Sequence, residues 1–130
     1  MNPEWPHEIA YANVSKFEKF AKKHQREYEA LFANLDRVLL YLRQGNKMGS
    51  FQIGFFRSEG GGVYRIGQTR VRNAQESRLY VFPNQDNQTM YSLNIGTKDG
   101  QTDDINEAKS IVETIRRALE AEQNIKQTGV

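Results

Sequence analysis

Arginine side chains are concentrated in the middle of the chain, and they are the residues best suited to chemistry. Five of them fall between residues 57 and 78, against two acidic residues in the same span. Guanidinium groups bind phosphates and aromatic rings stack on bases, which is the combination found in single-stranded RNA sites. The arginines are Arg57, Arg65, Arg70, Arg72 and Arg78, and the aromatic residues near them are Tyr64, Tyr80, Phe82 and Tyr91.

Other kinds of catalytic site find little support in the sequence. There is no cysteine, so thiolate nucleophiles and disulfides are excluded. His7 and His24 have no partner at metal-ligand spacing, and neither has the context of a base for a serine nucleophile. Asp103 and Asp104 are explained by capping at a helix start. We therefore expect no metal and no cofactor. Two interpretations of the arginines stay open: they bind phosphate groups, or they form the solvated side of a half-buried sheet.

The sequence around these arginines predicts a small sheet. Three runs rich in aromatic and β-branched residues, Val63–Gln68, Arg78–Phe82 and Thr89–Ile95, are separated by turn formers. This pattern is typical of an antiparallel meander. Phe51–Arg57 alternates as a fourth candidate strand, and the glycine-rich Ser58–Gly62 segment would connect it to the next.

The alternation in the central strand predicts which side chains face the core. Leu79 and Val81 fall on one face, and Arg78, Tyr80 and Phe82 fall on the other. Because leucine and valine are the natural core residues, we expect Arg78, Tyr80 and Phe82 to point to an open face of the sheet.

Helical segments flank the predicted sheet. After a first strand in His7–Val14, apolar residues keep helical spacing through Arg43. This segment is either one long helix or a pair of helices broken within Lys22–Glu27, where His24 replaces an expected apolar residue. A second amphipathic helix follows from Asp104. The predicted class is α+β, with about four antiparallel strands and the N-terminal helix or helical hairpin and the C-terminal helix packed on them.

Composition sets the general frame. A length of 130 residues predicts a single domain, with residues 1–6 and 123–130 as flexible tails. The net charge is +2, and 38% of the residues are hydrophobic. No apolar run approaches the roughly 20 residues of a membrane span, and no leader segment is apparent, so we expect a cytoplasmic protein.

Several runs follow one another in an order that resembles a known family. They are V-Y-R-I, then R-L-Y-V-F, then M-Y-S-L-N-I-G-T-K-x-x-Q-x-x-D-I-x-x-A. With the upstream strand and amphipathic helices, they resemble the RelE/ParE/HigB toxin superfamily of bacterial toxin–antitoxin systems over most of residues 8–120. The resemblance implies a RelE-like fold.

The resemblance also implies an activity. Members of the RelE and HigB branches are endoribonucleases that cleave messenger RNA in the ribosomal A site. The 2′-hydroxyl attacks the adjacent phosphate, cations stabilise the developing charge, and a further residue assists proton transfer. Arg65, Arg78 and Lys98 match the motif positions, and Tyr91 is the candidate for proton transfer. The residues expected to bind nucleic acid are Arg57, Arg70, Arg72 and Tyr80.

A second interpretation stays open. The histidine that follows the last strand in HigB-like members is missing, and Thr97 stands where a second lysine is common. The ParE branch keeps the fold and inhibits gyrase without cleaving RNA. The alternative is therefore a non-catalytic module of this fold that binds gyrase, nucleic acid or an acidic protein. Expected partners are mRNA and the ribosome for a toxin, and in either case a cognate antitoxin that would cover the basic sheet.

Overall fold

Five strands form one sheet in the computed structural model, which describes residues 4–51, 53–69 and 71–127. They are β1 (His7–Ile9), β2 (Phe56–Gly60), β3 (Val63–Gly67), β4 (Ser77–Asn84) and β5 (Thr89–Thr97). Their order in the sheet is β1-β5-β4-β3-β2. Strands β2 to β5 form the predicted antiparallel meander, whereas β1 pairs in parallel with β5, so the sheet is mixed.

Three helices complete the fold and confirm the α+β class. They are α1 (Val14–Lys23), α2 (Gln25–Arg43) and α3 (Gln101–Gln127). Short 3-10 turns at Tyr11–Asn13, Met48–Ser50 and Lys98–Gly100 join strands and helices. None of the helices in the described ranges is long and apolar enough to cross a membrane.

The N-terminal helical segment is broken at His24, as one of the two predicted alternatives requires. His24 has φ −131° and ψ 59°, outside the helical region. The chain then turns back, so that the Phe17 ring of α1 lies 6.2 Å from the Phe32 ring of α2. The break therefore lets both helices pack on the same face of the sheet.

Both faces of the sheet are covered, and this corrects the predicted open face. Leu79 and Val81 pack against α1 and α2, as predicted. On the opposite face, Tyr80 and Phe82 pack against α3 and are 0% and 6% exposed. The expectation that these two aromatic side chains face solvent is wrong, because α3 returns across that face after β5.

Several predicted boundaries also change. β1 ends at Ile9 rather than Val14, and β2 begins only at Phe56, so most of the predicted Phe51–Arg57 strand is a connection. Residues 123–127 of the predicted tail continue α3, while residues 1–3 and 128–130 lie outside the described residues. Within the predicted lead-in, Trp5 is buried, and the Arg43 guanidinium donates hydrogen bonds to the carbonyls of Glu4 and Trp5.

Candidate functional site

An open groove of about 590 Å³ lies where β2, β3 and β4 meet the loop before β2. We call it the arginine groove after the cations among its described lining residues, which are Arg37 of α2, Arg57 of β2, Arg65 of β3 and Arg78 of β4. Phe55, Gln68 and Thr69 are also among its lining residues. The groove thus brings together three of the arginines that the sequence singled out and adds Arg37, which it did not.

Strand register places the arginines side by side. Arg57 lies directly opposite Arg65 in the antiparallel β2–β3 pair, and Gly67 lies opposite Arg78 in the β3–β4 pair. A Cβ atom built on Gly67 would lie 4.0 Å from Arg78 Nη1, so the guanidinium extends across this glycine. Like charges directly opposite each other on neighbouring strands are destabilising. The arrangement therefore favours a bound anion.

The groove keeps unneutralised positive charge. Arg65 Nε lies 3.5 Å from Glu59 Oε1, and the Arg37 guanidinium lies 5.6 Å from the centre of the Phe55 ring. Among the residues that the structure describes, no carboxylate lies within 4.0 Å of Arg57, which is exposed. Arg57 is therefore available to a ligand from solvent.

Glu76 forms ion pairs with two of the predicted cations, Arg78 and Lys98. Arg78 Nη2 donates a hydrogen bond of 2.7 Å to Glu76 Oε1, and Lys98 Nζ lies 3.5 Å from Glu76 Oε2. The hydrogen bond and charge of Arg78 lower the pKa of Glu76, so its carboxylate is ionised near neutral pH. Arg78 Nη1 also donates to the Ser77 carbonyl at 3.1 Å. Our sequence reasoning did not assign Glu76 a role, although its position two residues before Arg78 would have placed both on one face of a strand.

Tyr80 is not available to nucleic acid. Its side chain is 0% exposed, and its hydroxyl oxygen has no hydrogen-bond partner. Burial, followed by the charge of Asp104, raises the pKa of Tyr80 to about 12, so the phenol stays neutral. The prediction that Tyr80 binds RNA is wrong, because α3 covers the face to which it points.

Tyr91 lies far from Arg78 along the β4–β5 pair. It pairs with Phe82, whereas Arg78 pairs with Gly96, five residues further along β5. That separation is about 17 Å at roughly 3.4 Å per residue. The Tyr91 hydroxyl accepts a hydrogen bond from Asn87 Nδ2 at 2.9 Å, and its ring stacks on Phe82. Proton transfer by Tyr91 beside Arg78 is therefore excluded in this arrangement.

Of the two remaining predicted cations, Arg72 lies in the loop between β3 and β4. The Arg72 carbonyl accepts a hydrogen bond from Arg26 Nη1 at 3.3 Å, which ties the loop to α2. The Arg72 side chain is exposed and does not line the groove. Arg70 lies outside the described residues. The loop is also held by Glu27, whose buried carboxylate accepts a hydrogen bond from the Gln75 amide at 3.1 Å.

Two residues that line the groove carry buried polar atoms without a hydrogen-bond partner. Within the described ranges, the buried side-chain atoms without a hydrogen-bond partner are Gln68 Oε1, Arg78 Nε and Tyr80 OH. The first two belong to groove-lining residues. An unpaired buried polar atom costs about 1–3 kcal/mol.

Metal binding finds no ready site in the described part of the chain, where no group of three or more His, Asp or Glu side chains is placed to hold an ion. Comparisons with protein-family models, with curated proteins and with solved structures found no match.

Proposed function

We propose that the protein binds the phosphate backbone of single-stranded RNA in the arginine groove, as a non-catalytic binding module. The observation that carries this proposal is the placement of Arg57 directly opposite Arg65, with Arg78 on the next strand. Such a pair of like charges costs roughly 0.2–1 kcal/mol, and a phosphate bound between the guanidinium groups would remove that cost.

The shape and lining of the groove favour an unpaired strand. A positively charged groove that follows the backbone, with an aromatic ring beside it, is the common arrangement for single-stranded nucleic acids. Phe55 is half-buried in the groove wall, and Arg37 lies over its ring. A base that points from the bound RNA backbone toward the groove wall would contact the Phe55 ring and the Arg37 guanidinium. The proposed location is the cytoplasm, where RNA is accessible.

The test is the affinity for a fluorescent RNA of roughly 10 nucleotides, measured by anisotropy over a range of salt concentrations. Each phosphate contact contributes about −0.7 to the slope of log K against log salt concentration for a single strand. We expect Arg57→Ala and Arg65→Ala each to weaken binding and to reduce the slope by about 0.7. Arg117→Ala is the matched control, since it removes one exposed arginine from α3 outside the groove. Equal effects of all three variants would refute the groove as the site.

A second candidate is the RelE/HigB-like endoribonuclease activity, which the Glu76 arrangement favours. An ionised carboxylate lies between Arg78 and Lys98, 2.7 Å and 3.5 Å away. In this mechanism Glu76 would take the proton of the 2′-hydroxyl, whose oxygen attacks phosphorus as the 5′-oxygen leaves. Arg78 would stabilise the phosphate charge, and Lys98 would return a proton to the leaving oxygen.

Growth on induced expression, with primer extension on cellular transcripts, separates the two candidates. Cleaved transcripts that disappear in Glu76→Gln and Lys98→Ala would select the nuclease. Intact transcripts beside measurable RNA affinity would select the binding module. If RNA neither binds nor is cleaved while the protein is folded, both candidates fail.

A further inference from the structure

The Glu76 carboxylate accepts a hydrogen bond of 2.7 Å from Arg78, one of the arginines that line the arginine groove. We propose that it occupies the phosphate position on Arg78 in the free protein, and that RNA binds by displacing it. This inference rests on the proposed function and adds a built-in competitor to it. Carboxylate and phosphate groups offer the same pair of oxygens to a guanidinium group, so one can replace the other.

The Glu76 side chain can leave while its backbone stays in place. Its backbone carbonyl accepts a hydrogen bond of 2.9 Å from the Lys98 amide, which fixes the entry to β4. The side chain itself is 51% exposed. Rotation of the carboxylate into solvent therefore breaks no backbone hydrogen bond and exposes no core residue.

Arg78, in contrast, is fixed. Its side chain is 12% exposed, Nη1 donates to the Ser77 carbonyl at 3.1 Å, and Nε is buried. The guanidinium therefore keeps its position while its acidic partner changes. Lys98, which is 60% exposed and shares Glu76, would be released toward the same ligand.

The arginines of the groove then differ in the order in which they bind RNA. Arg57 has no acidic partner among the described residues, so it meets the RNA without prior competition. Arg78 becomes available only when Glu76 moves. The affinity of the free protein is consequently lower than its arginines alone would give.

The experiment compares Glu76→Gln with Glu113→Gln. Both variants remove one negative charge from an exposed carboxylate paired with arginine, and Glu113 pairs with Arg116 at 3.6 Å, outside the groove. The probe is a fluorescent 2′-O-methyl RNA of roughly 10 nucleotides, which binds without being cleaved. We expect Glu76→Gln to bind about 2- to 10-fold more tightly than the parent protein and Glu113→Gln to change affinity less than 2-fold. Equal effects of the two variants would overturn the inference.

A combined variant separates competition from a structural role. In a background that carries both Arg78→Ala and Lys98→Ala, Glu76→Gln should no longer tighten binding, because both cations that pair with Glu76 are gone. A gain that persists in that background contradicts displacement. The parent protein could bind RNA through Arg57 and Arg65 without any response to Glu76→Gln. That result would overturn this inference alone and leave the proposed function in place. Absence of binding by the parent protein and all variants would overturn both.

Discussion

Replacing Arg57 with glutamate should stabilise the fold while it weakens RNA binding. Arg57 and Arg65 face each other across β2 and β3, so the change removes a like-charge pair and creates an opposite-charge pair. Each contribution is worth roughly 0.2–1 kcal/mol, which bounds the gain at about 0.4–2 kcal/mol. Glu59 already neutralises part of Arg65 at 3.5 Å, and Arg57 is exposed, so we expect the lower half of that range, about 0.5–1 kcal/mol.

Urea denaturation of the parent protein, Arg57→Glu and Arg57→Gln measures this gain. Arg57→Gln removes only the repulsion and should lie between the other two. The gain should shrink at high salt, because screening acts over about 3 Å at 1 M salt against 10 Å at 0.1 M. In the RNA assay, Arg57→Glu should bind more weakly than Arg57→Gln, with Arg117→Glu as the control for net charge. A loss of stability, or unchanged RNA affinity, would refute the account of the arginine groove.

Three further changes test packing elsewhere in the fold. Tyr80→Phe removes an unpaired buried hydroxyl and should raise the free energy of unfolding by about 1 kcal/mol, a result that a loss of stability would contradict. Because the folded pKa of Tyr80 is raised to about 12, the parent protein should also lose stability as the pH rises above 10, a loss that the phenylalanine variant lacks. Gly96→Ala should lower the free energy of unfolding by about 1–3 kcal/mol, because a Cβ atom there would overlap the Asp104 carboxylate. Gly49→Ala is the control in the same urea titration, since a Cβ atom at that position meets open space. Burial lowers the pKa of His7, so the free energy of unfolding should fall as the pH drops below about 6.5. Urea titrations at neutral and acidic pH should show a smaller fall for His7→Gln than for the parent protein.

Local patterns predicted most of the elements. The meander, the long C-terminal helix and the α+β class follow from side-chain periodicity and turn residues, which act over a few positions. His24 stands at an expected apolar position, which favoured a pair of helices over one long helix. The helical segment is indeed broken at His24. Leu79 and Val81 were predicted to face the core because a strand places alternate residues on one side, and both are buried. The parallel pairing of β1 with β5 was not predicted, because residues 7–9 and 90–92 are distant along the chain.

The composition of the candidate site was predicted in part. Arg57, Arg65 and Arg78 line one groove, and Lys98 meets Arg78 through Glu76. Arg37 was missed because its helix reaches the groove only through the packing of α2 against the sheet. The carboxylates of Glu59 and Glu76 pair with Arg65 and Arg78 and so compete with any anion for them. Residue spacing in the sequence did not predict this competition.

The sequence by itself determined which residues alternate, where helices and strands form, and where positive charge accumulates. Only the tertiary structure decided which face of the sheet α3 covers, and this buried Tyr80 and Phe82 while the arginines of β2 and β3 kept access to solvent. Strand register likewise decided that Arg57 opposes Arg65 and that Tyr91 lies far from Arg78. The physical reason is that alternation fixes the two sides of a strand, whereas burial depends on which distant segment packs against each side.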